Sequence, residues 1–157
     1  MSQGHYFEDF RVGQSFTSQG RTITDHDISS FAAWSWDTNP VHTDDVSASR
    51  GRFGGLVAHG LLGLSVAMGL ASRLAVFERC SVALLGVDGW RFRHPLRAGD
   101  TVSCTVDIVG ARITSAGDTG ILERHFTLRN QDGTVVQEGE INLMVTTRPP
   151  PDARDAS

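Results

Sequence analysis

The alternation of apolar and polar residues predicts that the second half of the chain is built from antiparallel strands. Val102, Cys104, Val106 and Ile108 alternate with polar neighbours, as in a strand that buries one face. Turn signals at Gly117-Asp118 and at 130–133 separate this strand from the next two. We therefore expect four strands connected as a meander, over residues 82–94, 102–108, 122–128 and 135–145.

The first half of the chain predicts an edge strand over residues 14–23 and then an amphipathic helix. Thr24 can cap this helix, and Asp27 stands three residues later, which is the spacing of a capping box. Apolar residues then recur at helical spacing from Ile28. The helix should end by Trp36-Asp37, because Pro40 disfavours helical backbone at the preceding residue.

A second helix is predicted over residues 58–77, and it has almost no polar face. A helix that is apolar all round is expected to be buried all round. Its glycines at 60, 63 and 69 each destabilise a helix by roughly 1 kcal/mol relative to alanine, which we attribute to close approach of a neighbouring backbone. The sequence thus predicts an α+β fold, in which one antiparallel sheet wraps a long central helix. Its exposed edges favour dimerisation by strand pairing.

Length and charge restrict the class of protein. The 157 residues fit one domain, expected over residues 1–148, and the proline-rich segment 149–157 is expected to be a disordered tail. A net charge of −4 argues against a nucleic-acid surface. The uncharged stretch 56–72 contains three glycines and His59, so we expect no membrane span. With two cysteines and no secretory signal pattern, a cytoplasmic protein is the default expectation.

The segment 36–44 contains the first candidate site. Asp37 and His42 flank Pro40, whose ring fixes its own backbone and restricts Asn39. A stiff loop of this kind holds an acid and an imidazole at a set separation, as acid–base chemistry on a small molecule requires. The alternative is structural: Asp37 caps a turn and His42 satisfies a carbonyl. The spacing alone does not choose between the two.

The start of the second helix is the other candidate site. The first N–H groups of a helix have no partner within it, so those near Gly60 could polarise a carbonyl oxygen. The alternative is that Gly60 is a packing glycine and His59 a partly buried residue at the helix start. His42, Asp44 and His59 could together bind a metal, but their spacing does not favour one. No nucleotide-binding or zinc-protease motif is present, and we expect neither metal nor cofactor.

Taken together, these two segments resemble the MaoC-like dehydratase family, which includes the (R)-specific enoyl-CoA hydratases. The resemblance is carried by Asp37-x-Asn39-Pro40-x-His42, followed by Ala58-His59-Gly60. Weaker matches are the entry segment 6–13 and the loop 95–101. The family implies a hot-dog fold, a homodimer and an acyl-CoA thioester as substrate.

The resemblance also implies a role for each site residue. Asp37 and His42 would hold a water molecule and move its protons as it adds to a 2-enoyl thioester, giving a 3-hydroxyacyl thioester. Gly60 and Asn39 would be the substrate-binding residues: the Gly60 N–H would bind the thioester oxygen, and Asn39 would lock the loop. Trp36 departs from the family pattern, in which this position is commonly small or acidic. We therefore ask whether Trp36 reshapes the acyl pocket or packs, with Trp34, in the core.

Two other functions compatible with the fold stay open at this point. A hot-dog thioesterase also places an acid near a helix start, but it does not need the Asp37–His42 pair. A non-catalytic acyl-CoA-binding subunit of a heteromer is the second alternative. The presence of both catalytic candidates argues against a subunit that has lost its activity.

Overall fold

A computed structural model describes residues 5–150. Four helices and six strands lie in this range, after a short 3-10 turn at Phe7–Asp9. The helices are α1 (Asp25–Ser35), α2 (Pro40–Thr43), α3 (Asp45–Arg50) and α4 (Gly60–Ser72). The strands are β1 (Ser15–Thr17), β2 (Arg21–Thr22), β3 (Ser81–Phe92), β4 (Thr101–Ile113), β5 (Thr119–Arg129) and β6 (Val135–Thr146).

The strands form one antiparallel sheet in the order β1-β4-β5-β6-β3, with β2 also paired to β4. Strands β4, β5 and β6 are the predicted meander. The prediction that β3 precedes β4 in that meander is wrong, because β3 pairs with β6 and the chain then crosses to the other side of the sheet. The single edge strand expected over 14–23 is likewise two short strands, both paired with β4.

Helix α1 begins with the predicted capping box. The Thr24 side chain accepts a hydrogen bond from the Asp27 N–H, and the Asp27 carboxylate accepts one from the Thr24 N–H. The helix ends at Trp36, whose φ of 63° is left-handed and unusual for a residue with a side chain. This reversal stops the helix one residue before Asp37 and starts the loop that contains the candidate site.

Helix α4 is the central helix, but it is shorter than predicted, since it spans Gly60–Ser72 rather than 58–77. The prediction that it is buried all round is also wrong for the single chain: Leu61, Ser65 and Gly69 are exposed. The opposite face is buried against the inner side of the sheet. There, alternate residues of β4 and β5 form the core together with the apolar residues of α4, and Cys104 is among them as predicted.

Gly63 explains how α4 lies so close to the sheet. A Cβ at this position would meet the Gln137 side chain of β6, with the amide nitrogen only 2.0 Å away. Gly69, on the exposed face of the same helix, has nothing within 4 Å of such a Cβ. The two glycines therefore differ by helix face: Gly63 permits a close contact with the sheet, whereas Gly69 faces open space.

Arg148, the last residue of the predicted domain, contacts the first turn of the chain. The Arg148 guanidinium pairs with Asp9, 2.6 Å away, and the main-chain N–H of Arg148 donates to the Glu8 carboxylate. The end of the last strand is therefore fixed to the first turn. The expected tail, 149–157, lies almost wholly outside the described residues and stays a prediction. Within residues 5–150, no helix is both long enough and apolar enough to cross a membrane.

The two helix glycines allow a matched test of this packing. Gly63→Ala should lower the free energy of unfolding by about 1–3 kcal/mol, because Gln137 must move away from the helix. Gly69→Ala should raise it by about 0.5–1 kcal/mol, because alanine favours helix at an exposed position. Urea denaturation of both variants measures the difference. Equal effects would contradict the close contact of α4 with β6.

Candidate active site

The loop from Asp37 to His42 is held by hydrogen bonds that begin at Asn39. The Asn39 side chain accepts from the Val41 N–H at 3.2 Å and so caps the short helix α2, with Pro40 in its first turn. The Asp37 carboxylate accepts a long bond of 3.4 Å from the Asn39 N–H. Asn39 therefore stabilises the loop through these hydrogen bonds. It does not line the cavity that Asp37 and His42 line.

His42 is oriented by the residues just before α4. Its Nδ1 lies 2.7 Å from the Val57 carbonyl oxygen, which can only accept, so Nδ1 carries the hydrogen in the neutral ring. Nε2 is then left as an acceptor and lies 4.0 Å from Oδ2 of Asp37. Two atoms at this separation do not bond each other directly, but one water oxygen can lie about 2.8 Å from both.

His59 connects the loop to the start of α4. This residue is only 2% exposed, and its Nε2 lies 2.9 Å from the main-chain oxygen of Asp37. Its ring stacks on His42 at 3.8 Å between centroids and also contacts Phe31 at 4.9 Å. The His59 ring therefore contacts both His42 and the main chain of Asp37, and it supports the position of each. The sequence alternative, in which His59 is only a partly buried residue at the helix start, did not include this role.

Gly60 is the first residue of α4, and its surroundings favour the absence of a side chain. A Cβ there would lie 2.7 Å from the Phe92 ring. The Gly60 carbonyl accepts from the Gln137 side chain at 3.0 Å, and Gln137 in turn accepts from the Trp90 indole at 3.1 Å. These bonds fix the helix start against β6 and β3.

A cavity of about 830 Å³ brings these groups together. Asp37, His42, His59 and Gly60 line it, and most of its remaining wall is apolar: Phe31, Trp34, Val41, Phe53, Val57, Ala58, Leu61, Phe92, Pro95 and Leu96. The arrangement offers two proton-transfer groups beside a helix start, within a pocket suited to a small molecule with an apolar part.

The sequence left open whether Trp34 and Trp36 pack in the core or whether Trp36 reshapes the pocket. Both are largely exposed, at 83% and 88%, so the idea that they pack in the core is wrong. Trp34 lines the cavity, whereas Trp36 does not. The absence of Trp36 from the cavity wall argues against the hypothesis that its indole reshapes the acyl pocket, and that hypothesis stays a prediction.

The sequence reasoning missed Gln137, which is buried and lines the cavity. A signal was available, because Gln137 occupies the same alternation as Ile141 and Leu143, which face inward. A polar residue at an inward position needs hydrogen-bond partners, and here it finds them at Gly60 and Trp90.

The possible metal ligands also differ from those considered in the sequence. Asp37, His42 and His59 offer ligand atoms within 4.8 Å of one another, and these groups could hold a cation as well as a water molecule. Asp44 is not part of this group, because its carboxylate caps α3 by accepting from the Ser47 N–H.

Comparison with known proteins gives the family of this chain. The family model described as a MaoC like domain matches residues 9–126, and the chain belongs to this family. An (R)-specific enoyl-CoA hydratase of Rhodospirillum rubrum is 35% identical over 153 residues, which cover 92% of this chain and 94% of the relative.

Solved structures support the same fold. A MaoC-like dehydratase from Rhodospirillum rubrum superposes with a TM-score of 0.82 and 26% identity, over 94% of this chain and all of that one. A Mycobacterium tuberculosis protein described as having a double hot-dog fold superposes with a TM-score of 0.77 and 23% identity, over 93% of this chain and 45% of that one. The predicted hot-dog fold, with its sheet around a central helix, is confirmed.

Proposed function

We propose that this protein catalyses the reversible addition of water to the double bond of a 2-enoyl-CoA thioester, giving a 3-hydroxyacyl-CoA. The observation that carries the proposal is the 4.0 Å separation of Asp37 Oδ2 and His42 Nε2 at the wall of a cavity that also contains the start of α4. Further support comes from the relatives, among which are proteins named (R)-specific enoyl-CoA hydratase and 3-hydroxybutyryl-CoA dehydratase.

The proposed reaction begins with a water molecule held by the pair. The carboxylate of Asp37 and the unprotonated Nε2 of neutral His42 both accept, so the water donates one hydrogen to each and directs its oxygen lone pair at C3. As the C3–O bond forms, one water O–H breaks and Asp37 takes its proton. The electron pair of the C2–C3 π bond moves to the thioester oxygen as an enolate. The proton that Asp37 took then passes through Nε2 of His42 to C2, where the enolate electron pair forms the C2–H bond. The thioester carbonyl is thereby restored, and both side chains return to their starting state.

Gly60 would stabilise the charge that develops on the thioester oxygen. Its N–H is at the positive end of α4, where no helical carbonyl precedes it to accept a hydrogen bond. The thioester oxygen becomes negative only during the reaction. An N–H directed at it therefore stabilises the transition state more than the bound substrate, and this difference lowers the barrier. Asn39 would contribute indirectly, through the cap that keeps the loop in place.

We also propose a homodimer that forms through β3. This strand is at the edge of the sheet, and its apolar residues Val82, Leu84, Leu85 and Val87 are exposed in the single chain. An unpaired edge with apolar side chains on both faces is suited to pairing with a second copy. The CoA portion of the substrate would then lie near the junction of the two copies.

The catalytic assignment is tested with crotonyl-CoA. Asp37→Asn and His42→Ala should each lower kcat by at least ~100-fold, since each removes one of the two groups that move protons. Loss of the enoyl absorbance without release of free thiol identifies hydration. Release of free thiol would instead identify a thioesterase, and binding without turnover would identify a non-catalytic subunit.

Asp45→Asn is the matched control for Asp37→Asn. Asp45 is an exposed acid in the first turn of α3 and does not line the cavity, so its variant should keep the full rate. Circular dichroism should show that all three variants are folded. Full activity in either Asp37→Asn or His42→Ala would refute the proposed roles.

The two exposed tryptophans provide a test of the substrate pocket. Trp34→Ala should raise KM for long-chain enoyl-CoA substrates by about tenfold, or about 1.4 kcal/mol, because an apolar wall is lost. Trp36→Ala should leave KM unchanged for every chain length, because Trp36 does not line the cavity. Kinetics over a series of straight-chain substrates separates the two. A larger effect at Trp36 would show that the cavity is not the acyl site.

The dimer is tested by its mass in solution. Val87→Lys places a charge on the free edge of β3 and should shift the protein from twice the 17.0 kDa chain mass to the chain mass. Val109→Lys is the control, because Val109 has a similar exposure but lies on β4, which is paired on both sides. Analytical ultracentrifugation should find the control unchanged. A monomeric parent protein would contradict the proposed assembly.

A further inference from the structure

A second cavity lies at the other end of α4 from the candidate active site. Its volume is about 200 Å³, and Met68, Ala71, Phe77, Leu84 and Leu143 supply apolar walls. Helical rise places Ser72, at its rim, about 18 Å from Gly60. None of the residues that line it belongs to the Asp37–His42 cavity. The proposed hydration reaction makes no use of it.

The side chain of Arg124 supplies the only guanidinium of this second cavity. Arg124 lies on β5 between Leu122 and Phe126, in the inward alternation, and is only 2% exposed. Its Nε donates to the Ile141 carbonyl at 3.0 Å, and the guanidinium carbon lies 4.8 and 5.0 Å from the ring centroids of Phe77 and Phe126. The group is therefore held firmly in one orientation.

This guanidinium is incompletely satisfied. Nη2 is buried and has no hydrogen-bond partner among the described residues. No carboxylate in residues 5–150 lies within salt-bridge distance of it, and Glu78, which lines the same cavity, is not paired with it. A buried cation without a counter-charge is strongly unfavourable, so its retention in the core needs an explanation.

The neighbouring thiols do not supply the missing negative charge. Burial raises the pKa of Cys104 to about 12, and burial also raises the pKa of Cys80, so both are neutral near pH 7. Burial lowers the pKa of Arg124 to about 10, which still leaves it charged near pH 7. Among the described residues, the positive charge of Arg124 therefore has no ion-pair partner, and the carboxylate of Glu78 lines the same cavity without pairing with it.

We propose that this cavity is a binding site for a small carboxylate with a short apolar tail, and that the Arg124 guanidinium binds the carboxylate. The planar guanidinium fork matches carboxylate geometry, and the apolar walls match a hydrocarbon tail. A volume of 200 Å³ equals that of about seven water molecules in the liquid, which is enough for a short-chain acid. Pairing there removes the penalty of the isolated charge.

The test is a thermal-unfolding titration of the full-length protein with butyrate, at constant ionic strength. Butyrate at tenfold above its Kd should raise Tm by about 4 °C, and the rise should follow the logarithm of 1 + [butyrate]/Kd rather than the butyrate concentration itself. Butyramide has the same tail without the charge and should have no effect. Asp37→Asn should show the same butyrate response as the parent protein, because the active-site cavity is a separate one.

Arg124→Met and Arg124→Lys separate the guanidinium from the cavity. Arg124→Met replaces the cation with an unbranched apolar chain of similar length, so it should fold with a Tm at least as high as the parent's and lose the butyrate response. Arg124→Lys keeps the charge without the fork and should weaken butyrate binding about tenfold. A butyrate response that persists in Arg124→Met would overturn the proposal, as would an equal response to butyramide.

Glu78→Gln tests the alternative that the Glu78 side chain itself, rather than a bound carboxylate, pairs with Arg124. If the Glu78 carboxylate turns in to pair with Arg124 in solution, this variant should unfold at a lower temperature, and butyrate should have no effect on the parent protein. That pair of results would also overturn the proposal. The expected result is an unchanged Tm for Glu78→Gln and an undiminished response to butyrate. A parent protein whose Tm does not respond to butyrate would also overturn the proposal. This outcome covers the case in which a second copy of the chain occupies the cavity and blocks butyrate.

Discussion

The hydrogen bond between the His59 ring and the Asp37 main chain is the interaction on which the candidate site depends. It joins a loop that follows α1 to the residue that precedes α4, across 22 positions of sequence. The His42 ring stacks on the same imidazole and is fixed on its other side by Val57. One buried ring thus places Asp37 and His42 relative to the first N–H of the central helix. If the ring were lost, the loop and the helix start would remain but their relative position would not be defined.

Much of this site could be predicted from sequence because its determinants are local. The capping box of Thr24 and Asp27 fixes where α1 starts, and Pro40 fixes the shape of the loop after it. The spacing of Asp37 and His42 and the glycine at the helix start predicted three residues that the structure brings to one cavity. What local reasoning could not supply is the role of His59, because its partners are Asp37 and His42, which are distant from it in the chain.

The errors in the fold have a similar origin. Helices α2 and α3 contain four and six residues, too few turns for a periodic apolar pattern, so the segment was expected to be a loop. The pairing of β3 with β6 depends on how the sheet closes around α4, and no local signal distinguishes it from pairing with β4. Arg124 and Gln137 stand at inward positions of their strands, and only the structure shows which neighbours each one has.

The contact of Gly63 with Gln137 also limits how the pocket can change. The Gln137 side chain of β6 occupies the space that the missing side chain of Gly63 leaves open. If α4 moved along its axis, a neighbouring residue with a larger side chain would collide with Gln137. The position of Gly60, and with it the depth of the active-site cavity, is therefore set by the core. Adaptation to longer or bulkier ligands must then occur at the mouth, where Phe31, Trp34 and Phe53 belong to α1 and a surface loop. The position of the cavity floor is therefore fixed by core packing, whereas the residues at its entrance can be substituted without disturbing that packing.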